Sequence, residues 1–439
     1  MTQKFLYTPT VHDLPKTADV IVIGGGPAGA GVVWALERLV PGIHTVLIET
    51  KDQLASGSSL ASLENFRTCW NAPCLATQMR RSVDIFLNAD EYLGEGSQEA
   101  LSVRQRGYLF CALDEKQADF YRHEVAHLHS IGLTHIEYLE TDAVQQRFKW
   151  LGKALIGAKF DPLAGWLDSN ALVYRLVKGA PSSTVLLGMK DVALRVEGGK
   201  VRGVRTAIGS IDAPKVVVTG GANAYLIGQT AGINLPVVVR PRQSFTSSFR
   251  HEAYPEDGPM VIAGAPYPHI RPEAQKGAIL GWEYHWNTKY AHPGEPARDH
   301  LREPIYPPEP LKDPRFPSLV LMLFARQFQH ANETGFADSR YLRGRHNIGY
   351  YVYRDETAAY RLDADGTRHP YESERAILDA YPGVEGLFLS IAHSGHGIMG
   401  APSSGEIVAA KVMGQPLPHP LFAEFGIDVP WVAHDENAL

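Results

Sequence analysis

The sequence predicts an α/β fold of Rossmann type, followed by a second region built on antiparallel strands. Three observations predict it. In "ADVIVIGGGPAGAGVVWALERL" a continuously apolar strand, Val20 to Ile23, runs straight into a glycine turn and a helix. That is how a parallel strand buried on both faces reads. A second apolar strand, "HTVLIE" (His44 to Glu49), follows the helix. From about Leu235 the texture changes to alternating strands rich in Arg, Tyr, Phe and Trp, with Pro-rich loops between them.

The elements follow in chain order. Residues 71–150 read as mainly helical, with amphipathic pieces at Ala76 to Asn88 and Glu115 to Ile131 and a strand at Arg106 to Leu113 between them. "DVALRVEGGKVRGVRT" (Asp191 to Thr206) is a strand–turn–strand pair with Gly198 and Gly199 at its turn. "KVVVTGGANA" is another buried strand ending in glycines. "REPIYPPEPLKDPRFP" (Arg302 to Pro317) is too proline-dense for core and reads as a surface excursion. Near the C-terminus, "PSSGEIVAAKVMG" is a helix with Pro402 suited to its first position and Gly414 to its end. No internal repeat is visible, which excludes solenoids and propellers.

Composition narrows the classes. At 439 residues the chain suits two domains, or one large α/β domain with an insertion. Its net charge of −6 gives no electrostatic case for nucleic acid. Three cysteines, Cys69, Cys74 and Cys111, make no disulfide framework and show no metal-ligand spacing, so no metal site is expected. The N-terminus has no signal-peptide run. The longest apolar stretches, such as Ser318 to Ala325, are strand-sized and too short for a transmembrane segment. The expectation is a cytoplasmic protein, with peripheral membrane contact left open.

Gly24, Gly26 and Gly29 form G-x-G-x-x-G directly after a strand and at a helix start, with Pro27 and Ala28 inside the motif. Glu49 ends the second strand twenty residues later, where an acid bonds ribose hydroxyls. The first glycine makes a tight turn, the second lets a pyrophosphate approach, and the third lets helix and strand pack. The helix N-terminus adds partial positive charge. This is a dinucleotide signature, and by itself it leaves FAD and NAD open. Glycine-rich strand ends return at Gly220 and Gly221 and at Gly395 to Gly400, which argues for a long cofactor threaded through the domain, as FAD would be.

The segments "VIVIGGGPAGAG", "GSSLASLENFR", "KVVVTGGANA", "HIRPE", "YRDETA" and "IAHSGHGIMGAPSSGE" resemble, in that order, the D-amino-acid oxidase-like flavoprotein superfamily. The likeness is closer to its sarcosine oxidase, dimethylglycine dehydrogenase and dye-linked L-proline dehydrogenase branches, and covers residues 18 to about 415. The resemblance implies a discontinuous Rossmann-type FAD-binding domain from 1–85, 160–235 and 340–415. Interleaved with it is an α+β substrate domain on an antiparallel sheet, 86–159 and 236–339, before a tail, 416–439. It implies cofactor contacts at Ser58, Ser59, Val192, Gly220 and Gly221. The turn Gly395, His396, Gly397, Ile398 and Met399 would lie along the flavin.

Gly395 and Gly397 would then be bare because the flavin lies against them. A helix near Pro402 would aim its dipole at charge developing on the reduced ring. Two roles stand for His396: a hydrogen bond or charge at the flavin edge, or satisfaction of neighbouring carbonyls. His393 would face the substrate cavity. Arg67 takes the place of the family's substrate- or flavin-facing arginine, against the plainer reading of a surface ion pair at a helix start. Arg271 and Arg354 are further candidates for closing the pocket, and Asp355 matches a structural acid. Aromatics from Tyr267 to Tyr290, among them Trp282, Tyr284 and Trp286, would either line an amine cage or fill core.

Two departures from the family stand out. Met399 replaces a carboxylate-binding lysine, and Ile279 falls where oxidases carry a lysine over the flavin. These make the FAD-binding protein a dehydrogenase of small amines or amino acids before an oxidase. Cysteines are absent from the C-terminal half, and no histidine lies between Lys51 and Arg67, so the FAD should be non-covalent. A flavin-binding assembly protein without turnover is the reading from another class. No residue pattern names the electron acceptor or an oligomeric state.

Overall fold

The computed structural model describes residues 5–152, 154–263, 268–282, 313–325, 339–354, 360–362, 368–370 and 374–429. Its first large sheet has seven strands, in the order Leu6–Tyr7, Thr184–Leu186, Thr45–Ile48, Val20–Ile23, Val216–Val218, Leu387–Ile391 and Ile377–Ala380. All neighbours are parallel except the last pair. Alternate side chains of each strand enter different cores. Val20 and Val22 pack with the helices, while Ile21 and Ile23 pack with the meander Ala193–Glu197, Lys200–Thr206 and Gly209–Asp212. Both faces being dry, the strand reads "VIVI" with no polar alternation.

On the helical face, Pro27–Leu39 packs along Gly397–Met413. The backbones touch: a Cβ on Gly31 would lie 2.2 Å from the Ala401 carbonyl oxygen, and one on Gly405 would lie 2.1 Å from that of Gly31.

The second large sheet has eight strands. Their order is Gly344–Arg354, Val237–Ser247, Gly277–Gly281, His269–Glu273, Met260–Ile262, Tyr108–Ala112, Gly157–Asp161 and Glu137–Glu140. Only Met260–Ile262 against Tyr108–Ala112 is parallel. Strand Gly344–Arg354 belongs to this sheet, so residues 340–415, assigned from sequence to one domain, are shared between the two sheets.

Several expectations are corrected. The run Ser318 to Ala325, only strand-sized in length, lies in a helix, Phe316–Ala325. Its buried positions Phe316, Val320, Leu321 and Phe324 follow helical spacing, a period that a short, nearly all-apolar run conceals. The C-terminal helix begins at Gly397, so Pro402 lies inside it rather than at its first position. Gly414 does end that helix, in the left-handed conformation at φ 64°. Several strands went unread, among them Glu137–Glu140, Gly157–Asp161, Thr184–Leu186, Gly209–Asp212 and Leu387–Ile391. The excursion Arg302 to Pro317 lies outside the described residues except from Asp313 onward, as do Asp355, Tyr267, Tyr284, Trp286 and Tyr290.

Candidate active site

Each glycine of the first turn is bare for a different reason. Gly24 has φ 122°, and a Cβ there would lie 2.6 Å from the Thr219 carbonyl oxygen. At Gly29 a Cβ would lie 1.9 Å from the Gly24 carbonyl oxygen. Gly26 has nothing within 4 Å on that side, which leaves the room a pyrophosphate needs. Gly26 caps the helix, Pro27 opens it and Ala28 completes the start. The Thr219 hydroxyl, from the strand end that runs into Gly220 and Gly221, is 2.9 Å from the carbonyl oxygens of both Ile23 and Gly24.

The Glu49 carboxylate is held beside this turn. It accepts from Gly25 N–H and Lys51 N–H, each at 2.8 Å. Its remaining lone pairs are placed for a ribose. Val192 is half-buried against the apolar core on the meander side of the same sheet.

The second cluster is the turn His393 to Met399. Ala392 and Ser394 both have left-handed backbones, φ 60° and 48°, unusual for residues with a Cβ. Ser394 N–H donates to the Val352 carbonyl oxygen at 2.8 Å, and Ser58 Oγ accepts from Tyr350 N–H at 2.9 Å. The edge strand Gly344–Arg354 is thus held by two turns at once. The neighbouring Ser59 hydroxyl donates to the Ala55 carbonyl oxygen at 3.2 Å.

Between these turns and the eight-stranded sheet lies a cleft of about 700 Å³, counting its open mouth. Gly395, Ile398 and Met399 form one wall, with Ser58 and Glu64 beside them. Tyr108, Arg242, His269, Trp282, Tyr350 and Tyr351 come from the sheet side. Among the described lining residues the one permanent cation is Arg242, and there is no lysine.

The reason for the bare Gly395 differs from the sequence expectation. A Cβ there would lie 2.6 Å from the Tyr351 ring, so a protein side chain requires the glycine. Tyr351 also lies under the Arg242 guanidinium, 5.1 Å from its ring centre. Gly397 is different: its Cβ position meets only His393, at 3.4 Å.

His396 caps the C-terminal helix and is buried. Its Nε2 donates to the Glu374 carbonyl oxygen at 2.5 Å, and Trp70 meets it edge-on at 5.0 Å. Burial pushes its pKa down to about 3, so it is neutral and adds no positive charge to this edge. Satisfying a carbonyl is the role this geometry supports. Donation through Nε2 leaves Nδ1 as a bare acceptor, with no partner among the described residues. The same holds for His393 Nδ1 and Ser394 Oγ. His393, in contact with Ser390 Oγ at 3.2 Å, is pushed down to about 4 by burial. Three unpartnered buried polar atoms in one turn are what a polar ligand edge would satisfy.

Arg67 is not at the surface. It is 3 % exposed, donates to the Cys69 carbonyl oxygen at 3.1 Å and stacks 3.9 Å over Trp70. It stands behind the cleft and does not line it. A buried polar network fixes this segment. Asp161 accepts from Thr68 N–H at 2.7 Å and Cys69 N–H at 3.1 Å, and Glu124 bridges Asn71 at 2.9 Å and Lys159 at 2.6 Å. Arg271 is also buried, against Leu63, Glu273 and Glu64, and Arg354 donates to Gly426. Ile279 is buried in the sheet.

Sequence reasoning missed Arg242, His269 and Tyr351. The signal for the first was the Arg-rich alternation of "VVVRPRQSF". His269 stood in "HIRPE", where attention fell on Arg271.

Comparison with known proteins agrees with this geometry. Residues 19–411 match the family model described as FAD dependent oxidoreductase. The beta subunit of sarcosine oxidase from Rhizobium meliloti is 25% identical over 299 residues, 65% of this chain and 68% of that one. Human mitochondrial sarcosine dehydrogenase is 25% identical over 245 residues, 51% of this chain but only 25% of that protein. The crystal structure of L-proline dehydrogenase from P. horikoshii superposes with a TM-score of 0.73 at 21% identity, covering 94% of this chain and 98% of that one.

Proposed function

The chain belongs to the FAD-dependent oxidoreductase family, and on that premise we propose that it oxidises the C–N bond of a small amino acid or N-substituted amino acid, as a dehydrogenase. Its cofactor is FAD, which when bound supplies a two-electron hydride acceptor. The residues present fit that group. The open face of Gly26 and the helix N-terminus suit a pyrophosphate, Glu49 a ribose, and the unpartnered atoms of His393, Ser394 and His396 a polar ring edge. Gly220, Gly221, Ser58, Ser59 and Val192 complete the set we assign to the cofactor. We hold the FAD non-covalent: denaturation should release it and leave the chain at its sequence mass.

The observation that carries the reading is the cleft itself. Its walls join the Gly395–Met399 turn, next to the dinucleotide sheet, to an aromatic sheet face that carries one guanidinium. Arg242 anchors the substrate carboxylate, as a planar, permanent cation does best. Tyr351, packed between Gly395 and Arg242, sets the distance between that anchor and the turn. Trp282, Ile398 and Met399 make the site apolar and exclude water. Arg67 acts from behind, holding Trp70 against His396. The helix from Gly397 presents N–H groups that have no acceptor within a helix, at the place where negative charge grows.

The absence of a lysine among the described cleft residues supports a dehydrogenase. The test is anaerobic addition of L-proline, sarcosine, dimethylglycine and D- and L-amino acids to the purified flavoprotein, followed by re-oxidation. Bleaching by one of these, with a dye re-oxidising faster than air, is the expected result. Fast re-oxidation by air would make it an oxidase. A flavin that no amine bleaches would leave a binding or assembly role.

A further inference from the structure

His269 lies in the middle of the eight-stranded sheet, on strand His269–Glu273, in register with Gly281 of the next strand. Its imidazole lies across that neighbour: a Cβ on Gly281 would be 2.1 Å from His269 Nε2. The bare α-carbon of Gly281 therefore seats the ring, and both residues line the cleft. Among the described residues, His269 makes no hydrogen bond, ion pair or ring contact. Its ring nitrogens are not among the sealed, unpartnered polar atoms of the interior, so they open on the cleft and are available to a ligand. Such a group is accounted for if a ligand completes it.

We propose that His269 is a substrate-positioning residue whose unprotonated ring nitrogen accepts a hydrogen bond from the substrate's amino N–H. The inference rests on reading the cleft as an amino-acid site and names the residue that holds the amine. An amino acid in its reactive form, with carboxylate and free amine, needs a cation at one end and an acceptor at the other. Arg242 is the cation. Of the other side-chain acceptors in the wall, Asn65 Oδ1 is unpartnered but sealed from solvent, and Glu64 and Gln243 are already engaged. Glu64 Oε1 accepts from Ser169 N–H and Oγ–H, and Glu64 Oε2 faces Arg271 at 3.7 Å. Gln243 Oε1 accepts from Asp313 N–H at 2.9 Å and meets His346 Nε2 at 2.8 Å. His269 is free. Burial lowers its pKa to about 4, so it stays neutral and keeps a lone pair to accept from an amine N–H.

The consequence is a preference. A neutral secondary amine keeps an N–H for His269, whereas its N-methylated tertiary counterpart has none. The test compares sarcosine with N,N-dimethylglycine, and L-proline with N-methyl-L-proline, in wild type, His269→Leu and His269→Gln. All three should retain FAD by absorption spectrum. His269→Leu should lower kcat/KM for the secondary amine about 10- to 100-fold and change the tertiary amine little, and His269→Gln, which keeps an acceptor, should recover most of the loss. Equal losses for both amines, or an unchanged ratio, would overturn the proposal while leaving the oxidoreductase reading intact.

A second measurement does not depend on turnover. In protein labelled with 15N at the histidine rings, the resonance missing from His269→Leu should move on adding sarcosine and stay put with methoxyacetate, which lacks an N–H. If it moves although no amine bleaches the flavin, His269 holds an amine and the dehydrogenase reading alone falls. If it moves with neither, the proposal fails.

Discussion

Arginine 67 and arginine 242 show how much one residue's surroundings decide. Both are guanidiniums near the same cleft. Arg67 packs on Trp70 and the Cys69 carbonyl behind the cleft, whereas Arg242, which donates to the Tyr353 hydroxyl at 3.1 Å, lies half-buried in the cleft wall with Tyr351 beneath it. Replacing Arg242 by Met should therefore raise KM for a carboxylate-bearing amine about 10- to 100-fold, the worth of a charged hydrogen bond, with the flavin spectrum unchanged. Steady-state kinetics on the two proteins checks it. An unchanged KM would move the anchor elsewhere. Sequence alone pointed to Arg67, because motif spacing reports chain position and not whether a side chain reaches the cleft or packs behind it. The glycine motif was legible, since Gly24, Gly26 and Gly29 and Glu49 act within one local strand–turn–helix unit.

At the scale of elements, the dinucleotide sheet announced itself, whereas the C-terminal helix announced its end at Gly414 but not its start. Runs such as "VIVI" and "TVLI" are apolar throughout because each strand feeds two cores, a property carried by the strand itself. The start of the helix at Gly397 depends instead on what it packs against. Gly31 and Gly405 are bare so that two helix backbones can touch, and no local pattern says so. Gly405→Ala should therefore push the helices apart. The expected cost is about 3 kcal/mol, the upper part of the range for overpacking, because backbone cannot rotate away. A denaturant titration against wild type measures it, and a loss below about 1 kcal/mol would show that the pair yields easily. Similarly, the buried Lys159–Glu124 pair was invisible in sequence, since its partners stand 35 residues apart.

For the whole molecule, the buried histidines set a direction for stability against pH. His393 and His396 have folded pKa values of about 4 and 3, below the ordinary value near 6.5. Below about pH 6.5 the unfolded chain binds protons that the folded chain does not, so stability falls as pH falls. The fall continues until the folded values are reached. Above pH 7 these two groups contribute no slope. Glu64, raised by burial, acts in the opposite sense near the carboxylate range. Thermal unfolding from pH 8 to pH 4.5 should show a flat region and then a decline beginning near 6.5. The double variant His393→Asn, His396→Asn should make that decline shallower without abolishing it, since His269, also lowered to about 4, acts in the same sense. A decline of the same size in the variant would assign the effect to other groups.

The central claim is that the cleft between the Gly395–Met399 turn and the eight-stranded sheet is where flavin and amino acid meet. The most direct test is a crystal structure of the protein with FAD and a bound amino-acid analogue. The result expected is a flavin ring against the unpartnered atoms of His393, Ser394 and His396, with the carboxylate on Arg242 and the amine facing His269. A ring seated away from that turn, or a carboxylate held outside the cleft, would contradict it.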